Sequence, residues 1–232
     1  MDFRDRHVVI TGGTGALGVA VVGALLEAGA VCHVPYRSED EAARFPHRGN
    51  GQVSLAALGD LADEAAVNKY YDGIAKLWAS IHIAGGFAFA PIGDSDKSLL
   101  MGQIESNLVS AYLCCRAAVA AFRRAGGGRI VNVATRLALE WRQGAGMAAY
   151  TASKSALAAL TVALAEEVVP AGILVNAVAP STMDTAANRR AMPNADHAAW
   201  PKVEDVAATI LFLASPQNRV TRGAVVPVYG RI

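Results

Sequence analysis

The chain has 232 residues, 53% of them hydrophobic and 18% charged, which is enough apolar material for a sizeable core and too much for intrinsic disorder. Lys plus Arg number 21 and Asp plus Glu 20, for a formal net charge of +1. That balance gives no global electrostatic pull toward nucleic acid or anionic lipid.

Short apolar, β-branched runs alternate along the chain with Ala/Leu/Val stretches of helical period. In chain order the pattern predicts a strand at Val8–Ile10, a helix at Leu17–Ala28, and strands at Val31–Val34 and Val53–Ala56. A helix at Asp63–Lys76, a strand at Ser80–Ala84 and a long helix at Lys97–Ala125 follow. Then come a strand at Arg129–Ala134, a helix at Ala149–Val168, a strand at Ile173–Val178, a helix at Val203–Ala214 and a last strand at Ala224–Val228. Strand–helix alternation of this kind implies an α/β fold with a parallel sheet covered on both faces. No linker or repeat divides the chain, so a single doubly wound Rossmann-type domain is expected over residues 1–232. Gly29, Gly126 and Gly172 fall just past helix ends, where a left-handed cap is wanted.

Between the first strand and first helix stands Gly12-Gly13-Thr14-Gly15-Ala16-Leu17-Gly18. It contains Gly-x-Gly-x-x-Gly in the strand-before, helix-after context of a dinucleotide-binding turn. Glycine lets the backbone turn sharply and approach a diphosphate without a Cβ clash, and the helix N-terminus then holds the anion. At the end of the second strand a carboxylate would bond a ribose 2′-hydroxyl and repel a 2′-phosphate. Tyr36 occupies that place, followed by Arg37 and Ser38, so NADP(H) is favoured, with NAD(H) as the alternative cofactor.

Tyr150-Thr151-Ala152-Ser153-Lys154 opens a long helix. Residues i and i+4 share a helix face, so Tyr150 and Lys154 meet one site together. A nearby ammonium stabilises phenolate and brings a tyrosine toward proton exchange near neutral pH.

Together the glycine turn and the Tyr/Lys pair resemble the short-chain dehydrogenase/reductase family, from about residue 6 to residue 230. The resemblance implies Tyr150 as general acid/base, with Lys154 binding the nicotinamide ribose and tuning Tyr150. It implies Asn107 as the asparagine that holds a relay water. Asp60, with Leu61 beside it, matches the position that bonds adenine, and Ala84, Gly85 and Gly86 match the turn after the fourth strand. Pro180, Ser181, Thr182 and Thr185 match the stretch whose threonine contacts the cofactor carboxamide. The function so implied is hydride transfer between NAD(P)H and the carbonyl or alcohol of a small molecule.

Three departures stand out. Thr135 replaces the family's catalytic serine and lies on a longer loop before Tyr150; its hydroxyl keeps the ability to donate to an oxyanion. His82-Ile83 replaces the usual Asn-Asn, and His82 is read as a strand residue. Ser181 replaces a glycine. Locally, Ile83–Phe87 and Thr182–Pro193 resemble the dihydropteridine reductase branch, which implies imine reduction as an alternative activity. That branch carries an aspartate where this chain has Tyr36. A dinucleotide-binding regulator without turnover is the second alternative.

A substrate loop is expected near residues 183–201, with Phe87, Met147, Met192 and Trp200 as an apolar wall and Trp141 nearby. Arg189 and Arg190 are read as a solvated pair. Cys32, Cys114 and Cys115 lack disulfide or metal spacing and suit buried free thiols, so no metal is expected. No apolar run attains the roughly 18 residues of a membrane span, and the charged start Met1–Arg6 lacks signal-peptide character. The expectation is a cytoplasmic protein with a small-molecule substrate and neither nucleic-acid nor membrane partners. The resemblance adds a homodimer or homotetramer.

Overall fold

Strands rich in Val, Ile and Ala are stable in a sheet only when both faces are covered. The computed structural model, which describes residues 1–232, has seven such strands. They are β1 (His7–Thr11), β2 (Val31–Tyr36), β3 (Val53–Ala57), β4 (Leu77–His82), β5 (Gly128–Val133), β6 (Ile173–Pro180) and β7 (Val225–Val228). All pair in parallel, in the order β3-β2-β1-β4-β5-β6-β7. Chain order reverses beside β1, which opens a crevice beyond the carboxyl ends of β1 and β4.

The helices are α1 (Ala16–Glu27), α2 (Glu39–Arg44), α3 (Glu64–Asp72), α4 (Lys97–Ile104), α5 (Ser110–Ala125), α6 (Ala148–Glu167), α7 (Ala186–Ala191) and α8 (Val203–Ala214). Side chains alternate across β1. Val8 and Ile10 join one core with Val21 and Leu25 of α1 and Ile210 of α8. Val9 joins the other with Val67 of α3 and Phe122 of α5. Each fully buried Val, Ile, Leu or Phe contributes about 1.5–3 kcal/mol, so both layers hold the sheet.

Several expected boundaries move. β4 begins at Leu77, because parallel pairing with His7 recruits the start of the segment. It ends at His82, because Ile83 and Ala84 both donate to the Thr11 carbonyl and turn the chain into the crevice. α3 stops at Asp72, before Gly73, four residues short of the expected Lys76. The long helix expected at Lys97–Ala125 is continuous, but a π turn at Glu105–Val109 separates α4 from α5. α2 and α7, six residues each, lay outside the expected elements. The left-handed caps at Gly126 and Gly172 are present, with φ of 82° and 68°.

α6 is 20 residues long, with a mean hydropathy of 1.2 in its most apolar window, and is apolar enough to cross a membrane. It packs instead along β6, with Lys154, Leu157 and Ala165 buried beneath it.

Candidate active site

The glycine turn after β1 is shaped by contacts that admit no side chain. A Cβ on Gly18 would stand 2.1 Å from the Gly12 carbonyl oxygen. Gly12 has φ +68°, and a Cβ there would lie 2.6 Å from the Ala84 amide nitrogen. No side chain caps α1 and no acidic residue occupies its first turn, so its N-terminal N–H groups face the crevice uncompensated.

A pocket of about 610 Å³ opens from this turn. Its lining includes Gly12, Thr14, Gly15, Ala16, Leu17, Gly18, Tyr36, Arg37, Asp60, Leu61, Ala84, Gly85 and Thr185. These expected residues therefore share one cavity. A glycine cradle, an open helix N-terminus and an unpaired cation at the far end fit a nicotinamide dinucleotide.

Other expected residues sit around the cavity. Gly13 lies under the turn, where a Cβ would strike Val34 at 2.7 Å. Ser38 caps α2, accepting from the Glu41 amide. Ser181 donates to the Tyr229 carbonyl at 2.8 Å, which fixes the end of β6, at Pro180, against the chain beyond β7. Thr185 caps α7, accepting from the Asn188 amide at 3.2 Å. Thr182 is half-buried between these two anchors.

At the inner end, α6 presents Tyr150 and Lys154 on one face. Lys154 is buried, and its ammonium donates to the Val133 carbonyl at 2.8 Å. Burial pushes its pKa down to about 8. Burial raises the Tyr150 phenol above its ordinary value, a rise that a hydrogen bond with Thr135 only partly offsets. The sequence pointed to Lys154 as the group that lowers Tyr150. In the structure Thr135 also acts in that direction, and Lys154 donates to a main-chain carbonyl.

Asn107 lies in the π turn with no exposed surface. Its Oδ1 accepts from the Gly86 amide at 3.0 Å, and its Nδ2 donates to the Gly86 carbonyl at 2.9 Å and to Ser153 Oγ at 3.1 Å. The amide therefore clamps Gly86 and α6. A Cβ on Gly85 would lie 2.5 Å from Asn107 Oδ1 and 3.2 Å from Lys154 Nζ, so only glycine fits there.

His82 is a buried strand residue, as its sequence context suggested. Its ring nitrogens meet Ser80 Oγ and Asn132 Oδ1, each at 2.8 Å, and burial holds its pKa down at about 4. Cys32, Cys114 and Cys115 are free and buried. Of the expected apolar wall, Phe87 stands edge-on to Tyr150 with ring centroids 5.0 Å apart. Trp200 is instead buried beside His197, and Trp141 lines a separate pocket with Thr151 and Ser155. Arg189 is paired with Asp184 at 2.7 Å, which cancels its charge.

The sequence reading passed over Glu41. It lines the dinucleotide pocket beside Arg37, and its Oε2 accepts from the Arg37 amide at 3.1 Å. Its signal was the Ser38-x-x-Glu41 spacing of a capping box.

The fold and this pocket define an oxidoreductase that uses a nicotinamide dinucleotide. The short chain dehydrogenase family matches residues 6–196, and the chain belongs to that family. It is 32% identical over 243 residues to a cis-4-hydroxycyclohexanecarboxylate dehydrogenase from Sinomonas cyclohexanicum, covering 98% of this chain and 96% of that one. Among solved structures, gox2181 superposes with a TM-score of 0.91 at 26% identity, covering 99% of this chain and 96% of that chain. ElxO with NADP bound shares the fold at a TM-score of 0.88 and 24% identity, with 97% of each chain covered. The chain is an NAD(P)-dependent oxidoreductase of carbonyls and alcohols.

Proposed function

We propose that this chain is an NADP(H)-favouring carbonyl reductase, reversible as an alcohol dehydrogenase, in which Tyr150 is the general acid/base. The observation that carries the reading is convergence at Gly85–Gly86. Lys154 from α6 and Asn107 from the π turn meet the wall of the dinucleotide pocket at Gly85, and Tyr150, one turn before Lys154, stands edge-on to Phe87 just beyond Gly86.

Residues Gly12–Gly18 would hold the diphosphate, Asp60 and Leu61 the adenine, and Ala84–Gly86 with Pro180–Thr185 the nicotinamide end. Arg37 and Ser38 would take the 2′-phosphate. The Arg37 guanidinium has no carboxylate partner in the chain, and a dianion beside it is matched by charge. The NADP bound to ElxO agrees with this choice. NAD(H) fits the same cradle without using Arg37.

Bound there, the nicotinamide supplies or accepts hydride. Tyr150 gives its phenol proton to the substrate oxygen, and Thr135 donates a second hydrogen bond to that oxygen. Lys154 keeps positive charge beside the site and orients α6 through Val133. Asn107 positions Gly86 and α6. Phe87, edge-on to Tyr150, favours a substrate with a flat or cyclic apolar body. The Sinomonas relative, named for a cyclohexane ring, points to the same class.

The working form would be a cytoplasmic homodimer or homotetramer paired through α5 and α6. Tyr112 and Val162 are exposed on these helices.

The test is Tyr150→Phe, assayed with NADPH against cyclic ketones and a quinonoid dihydropterin. Turnover should fall by at least about a thousandfold while NADPH binding is kept. Full activity in the variant would remove Tyr150 from the chemistry. Turnover of the pterin alone would select imine reduction.

A further inference from the structure

The opposite end of the sheet, where β1, β4 and β5 begin, carries a second pocket of about 610 Å³. Arg6, Lys76, Trp78 and Arg129 line it, together with the Gly126–Gly128 turn and Asp5. It shares no residue with the dinucleotide pocket.

Its chemistry is cationic. The Arg6 guanidinium carbon lies 3.7 Å from the centroid of the Trp78 ring, and that of Arg129 lies 5.1 Å away. The indole offers each cation an attractive face, yet the two charges repel. Burial and the charge of Arg6 together lower the Arg129 pKa. None of the three cations has a carboxylate within ion-pair distance, Asp5 included.

The internal duties of these groups differ. Arg129 donates to the Asn218 carbonyl at 2.8 Å and to the Gly128 carbonyl at 3.0 Å, which accounts for its place in the fold. Trp78 donates to the Ala214 carbonyl at the end of α8, at 2.9 Å. The side chains of Arg6 and Lys76 make no hydrogen bond within the chain, and Arg6 is nonetheless held in one place by the indole. The Gly126 and Gly127 amides are spent on the Phe122 carbonyl of α5. Recognition in this pocket therefore falls to side-chain charge. With Trp78 covered by Arg6, stacking of a ligand ring on the indole is not the mode.

We propose that this pocket is a second ligand site, for a small phosphate-bearing anion, with Arg6 and Lys76 as its principal donors and Arg129 adding charge. A multiply charged group matches several unpaired cations, whereas a monocarboxylate leaves most of that charge uncompensated. The open space above Gly126, where a Cβ would meet nothing within 4 Å, leaves room for the organic part of such a molecule.

The test titrates pyrophosphate into protein saturated with NADPH, so that the glycine turn is already filled. Calorimetry and the quenching of Trp78 fluorescence report binding. The expected result is one saturable site per chain, weakened about tenfold or more in Arg6→Gln and in Lys76→Gln and unchanged in Arg37→Gln. A response that never saturates and simply tracks ionic strength overturns the proposal. So does saturable binding that both variants keep. Lys76 is exposed, so Lys76→Gln carries the test even where Arg6→Gln fails to fold.

Discussion

Lys154 Nζ donates to the Val133 carbonyl at 2.8 Å, tying the inner face of α6 to the last residue of β5. The bond places an ammonium where water does not reach, and burial lowers its pKa from 10.5 to about 8. Between these values the unfolded chain holds a proton that the folded chain has released. Native stability therefore rises with pH across that window and is lowest below pH 8. Lys154→Met should melt higher than the parent at pH 7, by about 1 kcal/mol after loss of the Val133 hydrogen bond. That advantage should shrink as pH climbs from 8 toward 10.5. Thermal melts of both proteins across this range check it; a gap that ignores pH would mean that the ammonium is well solvated.

Tyr150 is protonated at neutral pH, because burial raises its pKa and Thr135 only partly offsets the rise. A protonated phenol is ready to reduce a carbonyl, whereas alcohol oxidation needs phenolate. Oxidation should therefore still be climbing at pH 10, while reduction holds level up to that pH. Thr135→Val removes the opposing hydrogen bond, so the oxidation limb should shift to still higher pH and kcat should drop by about a hundredfold. Thr135→Ser should restore both. pH–rate profiles in each direction decide the matter, and an unmoved limb in Thr135→Val would break the Thr135–Tyr150 link.

Asn107→Ala would strand the Gly86 amide, the Gly86 carbonyl and Ser153 around a buried hole. Such losses cost about 2–4 kcal/mol together. The urea midpoint should fall accordingly. The KM for NADPH should rise as well, because the Gly85–Gly86 turn forms the cavity wall. A variant with parental stability and a selective loss of kcat would instead favour the relay-water role.

Glu41 places a carboxylate in the same pocket as Arg37. It opposes a 2′-phosphate but is neutral toward a 2′-hydroxyl. In Glu41→Gln, whose amide oxygen can still accept from the Arg37 N–H, kcat/KM for NADPH should improve about threefold with little change for NADH. The gain should fade at high salt. Equal effects on both cofactors would place Glu41 outside the ribose environment.

The legible parts of this chain were those whose chemistry is local. Gly12, Gly15 and Gly18 declare themselves because glycine acts through its own backbone. Tyr150 and Lys154 do so because one helical turn brings them together. The parts that depend on strand order were not legible. The clamp of Asn107 on Gly86 joins two segments whose proximity follows from β4 lying beside β1 and β5. Thr135 reaches Tyr150 across a loop of no fixed period. α2 escaped notice because Glu39–Arg44 has no apolar stripe, although its cap was written in Ser38 and Glu41. Phe87 and Trp200 look alike in sequence. Only packing sends one to Tyr150 and the other into the interior.

The wide turn at Glu105–Val109 has a genetic reading. A π turn is an α-helix that has taken in one residue, and one residue is about 100° of rotation. Upstream, α4 and the turn itself face α6; downstream, α5 faces α3 and β4. These two facings are out of phase on a regular helix. A one-codon insertion reconciles them, so that a single rod carries Asn107 to Gly86 and still delivers Cys115 and Phe122 to the interior. Deleting one codon there would set the two tasks against each other, and the chain would have to give up either its cofactor wall or its core.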